Sequence, residues 1–219
     1  ALFIDNWRVL RIFKSITIRA SIAFIIAFMF MLIFGKPFIK WLKKKKYGDT
    51  AREEGPQSHF NKSGTPTMGG LLIIGAIIFS TLIAGNFTNK FIIFLFIITI
   101  LFTTIGFYDD YLKLTRHKNG LSGKKKIFGQ LVITALTFAF IYKYGIINKT
   151  LDFSIVNPLI KGSFIYITPA LFFVFMLFVI IGSSNAVNLT DGLDGLVSGP
   201  IIVVSVTLLI ITYLTGHYE

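Results

Sequence analysis

The 219-residue sequence predicts an all-α fold, a polytopic bundle of about six transmembrane helices, each crossing ~30 Å of hydrocarbon. Three observations carry that prediction. The chain is 54% hydrophobic with a mean hydropathy of +0.74, well above the ~45–50% apolar content of an ordinary soluble domain. Its apolar residues fall into six long blocks instead of being spread evenly. Within those blocks nearly every position is apolar, as in FIIFLFIITILFTTIGF, so the two-residue alternation of a membrane β-barrel is missing.

The six blocks are residues 16–34, 68–84, 91–107, 127–144, 165–181 and 196–214. The first is too long for a signal-peptide core and is followed by basic residues from Lys36 onward instead of a small-residue cleavage site, so it is expected to stay as a span. The second opens after the polar segment 61–70, the third closes on Asp109 and Asp110, and the fourth follows Lys124 to Lys126. The fifth ends before the Asn- and Asp-rich segment 185–195, which leads into the sixth. Lipid supplies no partners for backbone groups, so spanning helices are the expected solution throughout, within one integral membrane domain over 1–219. The loops at 35–67, 108–126 and 182–195 are expected to carry the function.

Those loops are predicted to share one side. Segments 35–67 and 108–126 hold 14 of the 22 Lys and Arg residues, which places them in the cytoplasm by the positive-inside tendency. Loop 182–195 joins them by parity. This orientation puts the N-terminal segment outside although it carries Arg8, Arg11 and Lys14; the larger asymmetry decides. Anchoring to the bilayer and its anionic headgroups explains the first lysine cluster, Lys43 to Lys46; for Lys124 to Lys126, in the same loop as Asp109 and Asp110, holding a substrate phosphate is an equal alternative, and nucleic acid is not an expected partner. With no cysteine, disulfides and thiolate chemistry are excluded.

Three polar segments interrupt the apolar chain. In the first of the acidic ones, Asp109 and Asp110 are adjacent carboxylates that repel each other unless a proton, a cation such as Mg²⁺, or Lys113 one helical turn away compensates them. In the second, Asn185, Asn188, Asp191 and Asp194 recur at a spacing of three and form a stripe of hard oxygen ligands suited to Mg²⁺, with Gly192 and Gly195 allowing close approach of a ligand. Asp191 or Asp194 acting as N-cap of the last span would explain one Asp but not the stripe. Segment 61–70 brings Lys62 and hydroxyls to a helix start, a favourable place for an anion, although Thr67 as a simple N-cap accounts for it equally well. Gly120-Leu-Ser-Gly-Lys lacks P-loop spacing, and the scattered His59, His117 and His217 form no zinc motif.

At these residues the chain resembles the polyprenyl-phosphate N-acetylhexosamine-1-phosphate transferases. Asp109-Asp-Tyr-Leu-Lys and Asn185-Ala-Val-Asn-Leu-Thr-Asp-Gly-Leu-Asp-Gly-Leu resemble segments shared across that superfamily, while segment 55–70, ending Gly-Thr-Pro-Thr-Met-Gly-Gly, looks like its muramoyl-pentapeptide branch. The resemblance implies transfer of phospho-MurNAc-pentapeptide from UDP-MurNAc-pentapeptide to undecaprenyl phosphate, giving lipid I and UMP with Mg²⁺, at the cytoplasmic face of the bacterial inner membrane, in peptidoglycan synthesis. It implies Asp109 as base or orienter for the lipid phosphate, Asp110 in support, Lys113 balancing their charge, and Asn188 and Asp191 as metal or diphosphate contacts. Lys62, Thr67, Lys125, Asn185, Gly192, Leu193 and Asp194 are expected to line the substrate. A homodimer is expected by similarity, and since relatives of this fold have about ten spans, the chain is expected to lack the C-terminal ones. Competing expectations are a GlcNAc-1-phosphate transferase of the same superfamily and, in a different class, a cation-coupled transporter.

Overall fold

A computed structural model describes residues 15–45, 68–116, 120–146, 153–156, 160, 162, 164–190 and 196–216. Six α-helices follow one another as α1 Ile16–Lys44, α2 Gly70–Ala84, α3 Lys90–Arg116, α4 Gly123–Phe140, α5 Pro169–Thr190 and α6 Ser198–Gly216. Between α4 and α5 lie a π-helical turn, Ile141–Ile146, and a small antiparallel hairpin of β1 Ser154–Val156 and β2 Phe164–Tyr166. Helices α1, α3, α4 with its π turn, and α5 are long and apolar enough to cross a membrane; Gly70–Ala84 and Ser198–Leu214 are shorter. The chain is a multi-pass membrane protein, and its helices show the expected surface, with Phe24, Leu95, Phe178 and Leu209 among many exposed large apolar side chains.

Four helices carry on through polar residues beyond their expected apolar runs, whereas α5 starts at Pro169 and not at 165, because Ile165 and Tyr166 belong to β2. Helix α1 runs ten residues past 34, through Pro37, and ends with Lys43 and Lys44 beside its carbonyl terminus, where positive charge is favoured. Helix α3 passes beyond 107 to Arg116, so Asp109 and Asp110 sit within its polar end, about two turns before the last residue. Helix α4 begins at Gly123 and takes in the lysines at 124–126, and α5 continues to Thr190, taking in Asn185 and Asn188. A helix of 27 residues is ~40 Å long, so α3 can cross the hydrocarbon and still present a polar end beyond it. The hairpin was not foreseen; its strands are only three residues each, below the length at which a period can be read.

Two compact units divide the chain, residues 1–126 and 127–219. In the first, α1 and α2 run antiparallel. Phe30 of α1 faces Gly75, where an added Cβ would stand 3.8 Å from its ring, and packs that ring 5.6 Å from that of Phe79, an approach a large residue at 75 would block. A tight turn then leads to α3, capped by Asn89, whose Oδ1 accepts from the Phe91 N–H at 2.8 Å. The helix pairing puts Lys44, Gly70 and Asp109 at one end of this unit and Arg19 and Asn86 at the other. Hydroxyls inside the apolar helices return to carbonyls one turn back, as Thr99 does to Leu95 and Thr103 to Thr99, which removes their cost in lipid.

In the second unit the hairpin is held by an aromatic cluster. The Phe153 ring lies 5.3 Å from Phe172, 6.1 Å from Tyr142 and 6.4 Å from Phe138. Phe138 in turn meets Phe173 at 5.1 Å, so α4, the hairpin and α5 share one packed seam. Helix α5 opens with Pro169 at its first position, and Thr168 Oγ1 accepts from the Leu171 N–H.

Candidate functional site

Asp109 is the most heavily engaged acidic residue among those described. Helix α3 brings Lys113 onto its face one turn later, and the Lys113 ammonium lies 3.0 Å from Asp109 Oδ2 and 3.0 Å from Asp110 Oδ1. Asp109 Oδ1 accepts a 2.7 Å hydrogen bond from the Leu121 N–H, and Lys126, at the start of α4, stands 3.7 Å from Oδ2. The residue is only 5% exposed. A carboxylate so enclosed is costly unless compensated, and here two ammonium groups and one backbone donor do so.

The turn that delivers Leu121 depends on Gly120. Its φ is +79°, a conformation that favours glycine, and a Cβ there would stand 2.5 Å from Asp109 Oδ1 and 3.0 Å from Lys113 Cε. The segment Gly120-Leu-Ser-Gly, which has no P-loop spacing, thus closes over the acidic pair. Asp110 is the more open of the two carboxyls, its side chain 34% exposed and, among the described residues, met by Lys113 alone. Lys125 is exposed, whereas Lys126 is drawn in toward Asp109.

On α5, Asn185 is half-buried and Asn188 exposed. Asn185 Nδ2 donates to Gln130 Oε1 at 2.8 Å and to the Ile181 carbonyl at 2.9 Å, while Gln130 Nε2 donates to Ser184 Oγ at 3.0 Å. Gln130 and Thr134 are fully enclosed, and Thr134 Oγ1 donates to the Gln130 carbonyl. Met68, the first described residue of the glycine-rich segment, holds φ +68° and is buried just ahead of α2. The N-cap position of α2 is Gly69, which has no side chain to cap with. Helix α6 begins at Ser198, beyond Asp191 and Asp194.

Of the residues the sequence singled out, Asp109, Asp110 and Lys113 are brought together, and Lys125, Asn185 and Asn188 are placed on α4 and α5. Lys62, Thr67, Asp191, Gly192, Leu193 and Asp194 lie outside the described residues. Sequence reasoning missed Gly120, Leu121 and Gln130, and took Lys126 only as one of the cluster 124–126. A signal existed for Gln130, an amide alone in an apolar run; for Leu121 there was none, because it acts through its backbone.

Residues 91–219, more than half of the chain, match the family model described as glycosyl transferase family 4, and residues 62–74 match phospho-N-acetylmuramoyl-pentapeptide-transferase signature 1. The chain is similar to proteins named phospho-N-acetylmuramoyl-pentapeptide-transferase from several bacteria. It is 46% identical to that of Fusobacterium nucleatum over 211 residues, which cover 96% of this chain and 58% of the relative. Identity is 40% over 227 residues with that of Leptospira biflexa, 98% and 60% of the two chains, and 42% over 207 residues with that of Francisella tularensis, 94% and 56%. The chain therefore spans somewhat under two thirds of the length of these relatives.

Proposed function

We propose, from the premise that this chain belongs to glycosyl transferase family 4, that it acts in moving phospho-MurNAc-pentapeptide from UDP-MurNAc-pentapeptide to undecaprenyl phosphate. The observation that carries the reading is the carboxylate pair held by lysines at the polar end of α3, in a chain whose residues 62–74 match the pentapeptide-transferase signature. One substrate is confined to the bilayer and the other is a water-soluble nucleotide, so chemistry belongs at such a boundary. On this reading that boundary is the cytoplasmic face of the bacterial inner membrane, within a single membrane domain.

An oxygen of the lipid phosphate attacks the sugar-bearing phosphorus; a new P–O bond forms, the bridging P–O bond breaks and UMP leaves with its electron pair. Such transfers depend on positioning and charge neutralisation more than on a special nucleophile. Burial, the Leu121 N–H and the ammonium groups of Lys113 and Lys126 hold Asp109 in place, so it serves as the anchor of the site. Asp110, with an open carboxylate oxygen, is better placed to orient the lipid phosphate or take its proton, and Lys113 spans both. Lys125, which is exposed, and Lys62 neutralise the diphosphate, with Thr67, Asn185, Gly192, Leu193 and Asp194 lining the nucleotide sugar.

Among the described residues no three His, Asp or Glu side chains cluster as a metal site. A divalent ion, Mg²⁺ on this reading, fits the hard oxygens of Asn188, which is exposed on α5, and of Asp191. It would neutralise diphosphate charge when bound.

The test is UMP release by the full-length protein given undecaprenyl phosphate and UDP-MurNAc-pentapeptide. Turnover with the pentapeptide nucleotide is expected, and Asp110→Asn is expected to cost ~2–4 kcal/mol of transition-state stabilisation, or roughly 30- to 10³-fold in kcat. Consumption of UDP-GlcNAc with the pentapeptide nucleotide left untouched would move the protein to the other branch. Cation flux without any nucleotide would remove it from this chemistry.

A further inference from the structure

We infer that Gln130 is a positioning residue for the transfer: it fixes the side-chain amide of Asn185 so that Asn185 offers its carbonyl oxygen, and not its N–H groups, to an electropositive group. A side-chain amide has two N–H donors. Asn185 spends both, one on Gln130 Oε1 at 2.8 Å and one on the Ile181 carbonyl at 2.9 Å. Its Oδ1 meets no donor among the described residues, and the residue is only half-buried, so this oxygen is the part of the amide left to a ligand.

Gln130 is itself locked. It is 1% exposed, its Nε2 donates to Ser184 Oγ at 3.0 Å, and its Oε1 is the acceptor matched to Asn185 Nδ2, whose other N–H is held by the Ile181 carbonyl, a group that can only accept. If Gln130 were turned over, it would present N–H to N–H, and Asn185 would have to reverse and offer donors outward. One residue deep in the bundle thereby sets the polarity of another at the boundary. A plain interhelical staple would need only the Gln130–Ser184 bond; here the second half of the amide is committed to a residue of the Asn- and Asp-rich segment. The electropositive group is either an N–H or O–H of the nucleotide sugar or a divalent cation.

The inference rests on the transferase reading, and one set of assays separates the two. Which nucleotide sugar the wild-type full-length protein consumes decides that reading; the ratio of variant to wild type on that substrate decides this one. Gln130→Met, which keeps volume and loses the amide, is expected to raise roughly tenfold either the KM for the nucleotide sugar or the Mg²⁺ activation constant, with kcat within about threefold. The first outcome identifies a substrate donor, the second a cation. Gln130→Glu, uncharged in so enclosed a place, retains one donor and one acceptor and is expected to restore wild-type constants. Asn185→Ala is expected to match Gln130→Met, and the double variant to be no worse than either. A lowered melting temperature with both constants unchanged would make Gln130 a staple only and overturn the inference, as would unchanged constants in Asn185→Ala.

Discussion

Asp109 Oδ1 accepts a 2.7 Å hydrogen bond from the Leu121 N–H, twelve residues further along the chain. That bond closes the link between α3 and α4 over the acidic pair and brings Lys126 to the same carboxylate. It turns two sequence-distant pieces, an acidic helix end and a glycine-bearing turn, into one unit.

Gly120→Ala should open this clasp. The positive φ costs an alanine of order 1 kcal/mol, and its Cβ would stand against Asp109 Oδ1, for a combined loss of about 1–3 kcal/mol. Transferase activity in the full-length protein should fall along with it, as the anchor of the site is displaced. Chemical or thermal unfolding of Gly120→Ala beside wild type checks this; equal stability and equal turnover would show that the turn does not hold Asp109.

The two neighbouring lysines should behave differently. Lys126 is drawn in beside Asp109, so Lys126→Ala removes part of the charge compensation of an enclosed carboxylate and should cost about 1 kcal/mol of stability as well as activity. Lys125 is exposed, so Lys125→Ala should leave the unfolding transition in place and raise KM for the nucleotide sugar instead. Parallel melts and KM measurements on the two variants separate them, and matching profiles would contradict the assignment.

At the α1–α2 contact, Gly75→Ala should be tolerated, because a Cβ would meet Phe30 at 3.8 Å, an ordinary van der Waals distance. Gly75→Leu has no such room and should cost about 1–3 kcal/mol through overpacking. Detergent stability of both variants is the measurement; a leucine as stable as wild type would mean that the two helices do not approach closely there.

The sequence by itself determined the membrane fold, because burial in lipid imposes length and hydropathy on every span and these are visible residue by residue. It also exposed Asp109, Asp110 and Lys113 as a group, since one helical turn relates them and a charge beside an apolar run stands out. It could not show how far α1, α3 and α5 extend past their apolar runs, because a helix continues through polar residues without any change that hydropathy records. The tertiary structure alone decided which carboxylate is enclosed and which is open. That depends on a backbone N–H from Leu121 and on the absence of a side chain at Gly120, two contributions that composition and spacing do not register. The pairing of Gln130 with Asn185 belongs there too: an amide in an apolar helix announces that it needs a partner, but only the packing of α4 against α5 names which one.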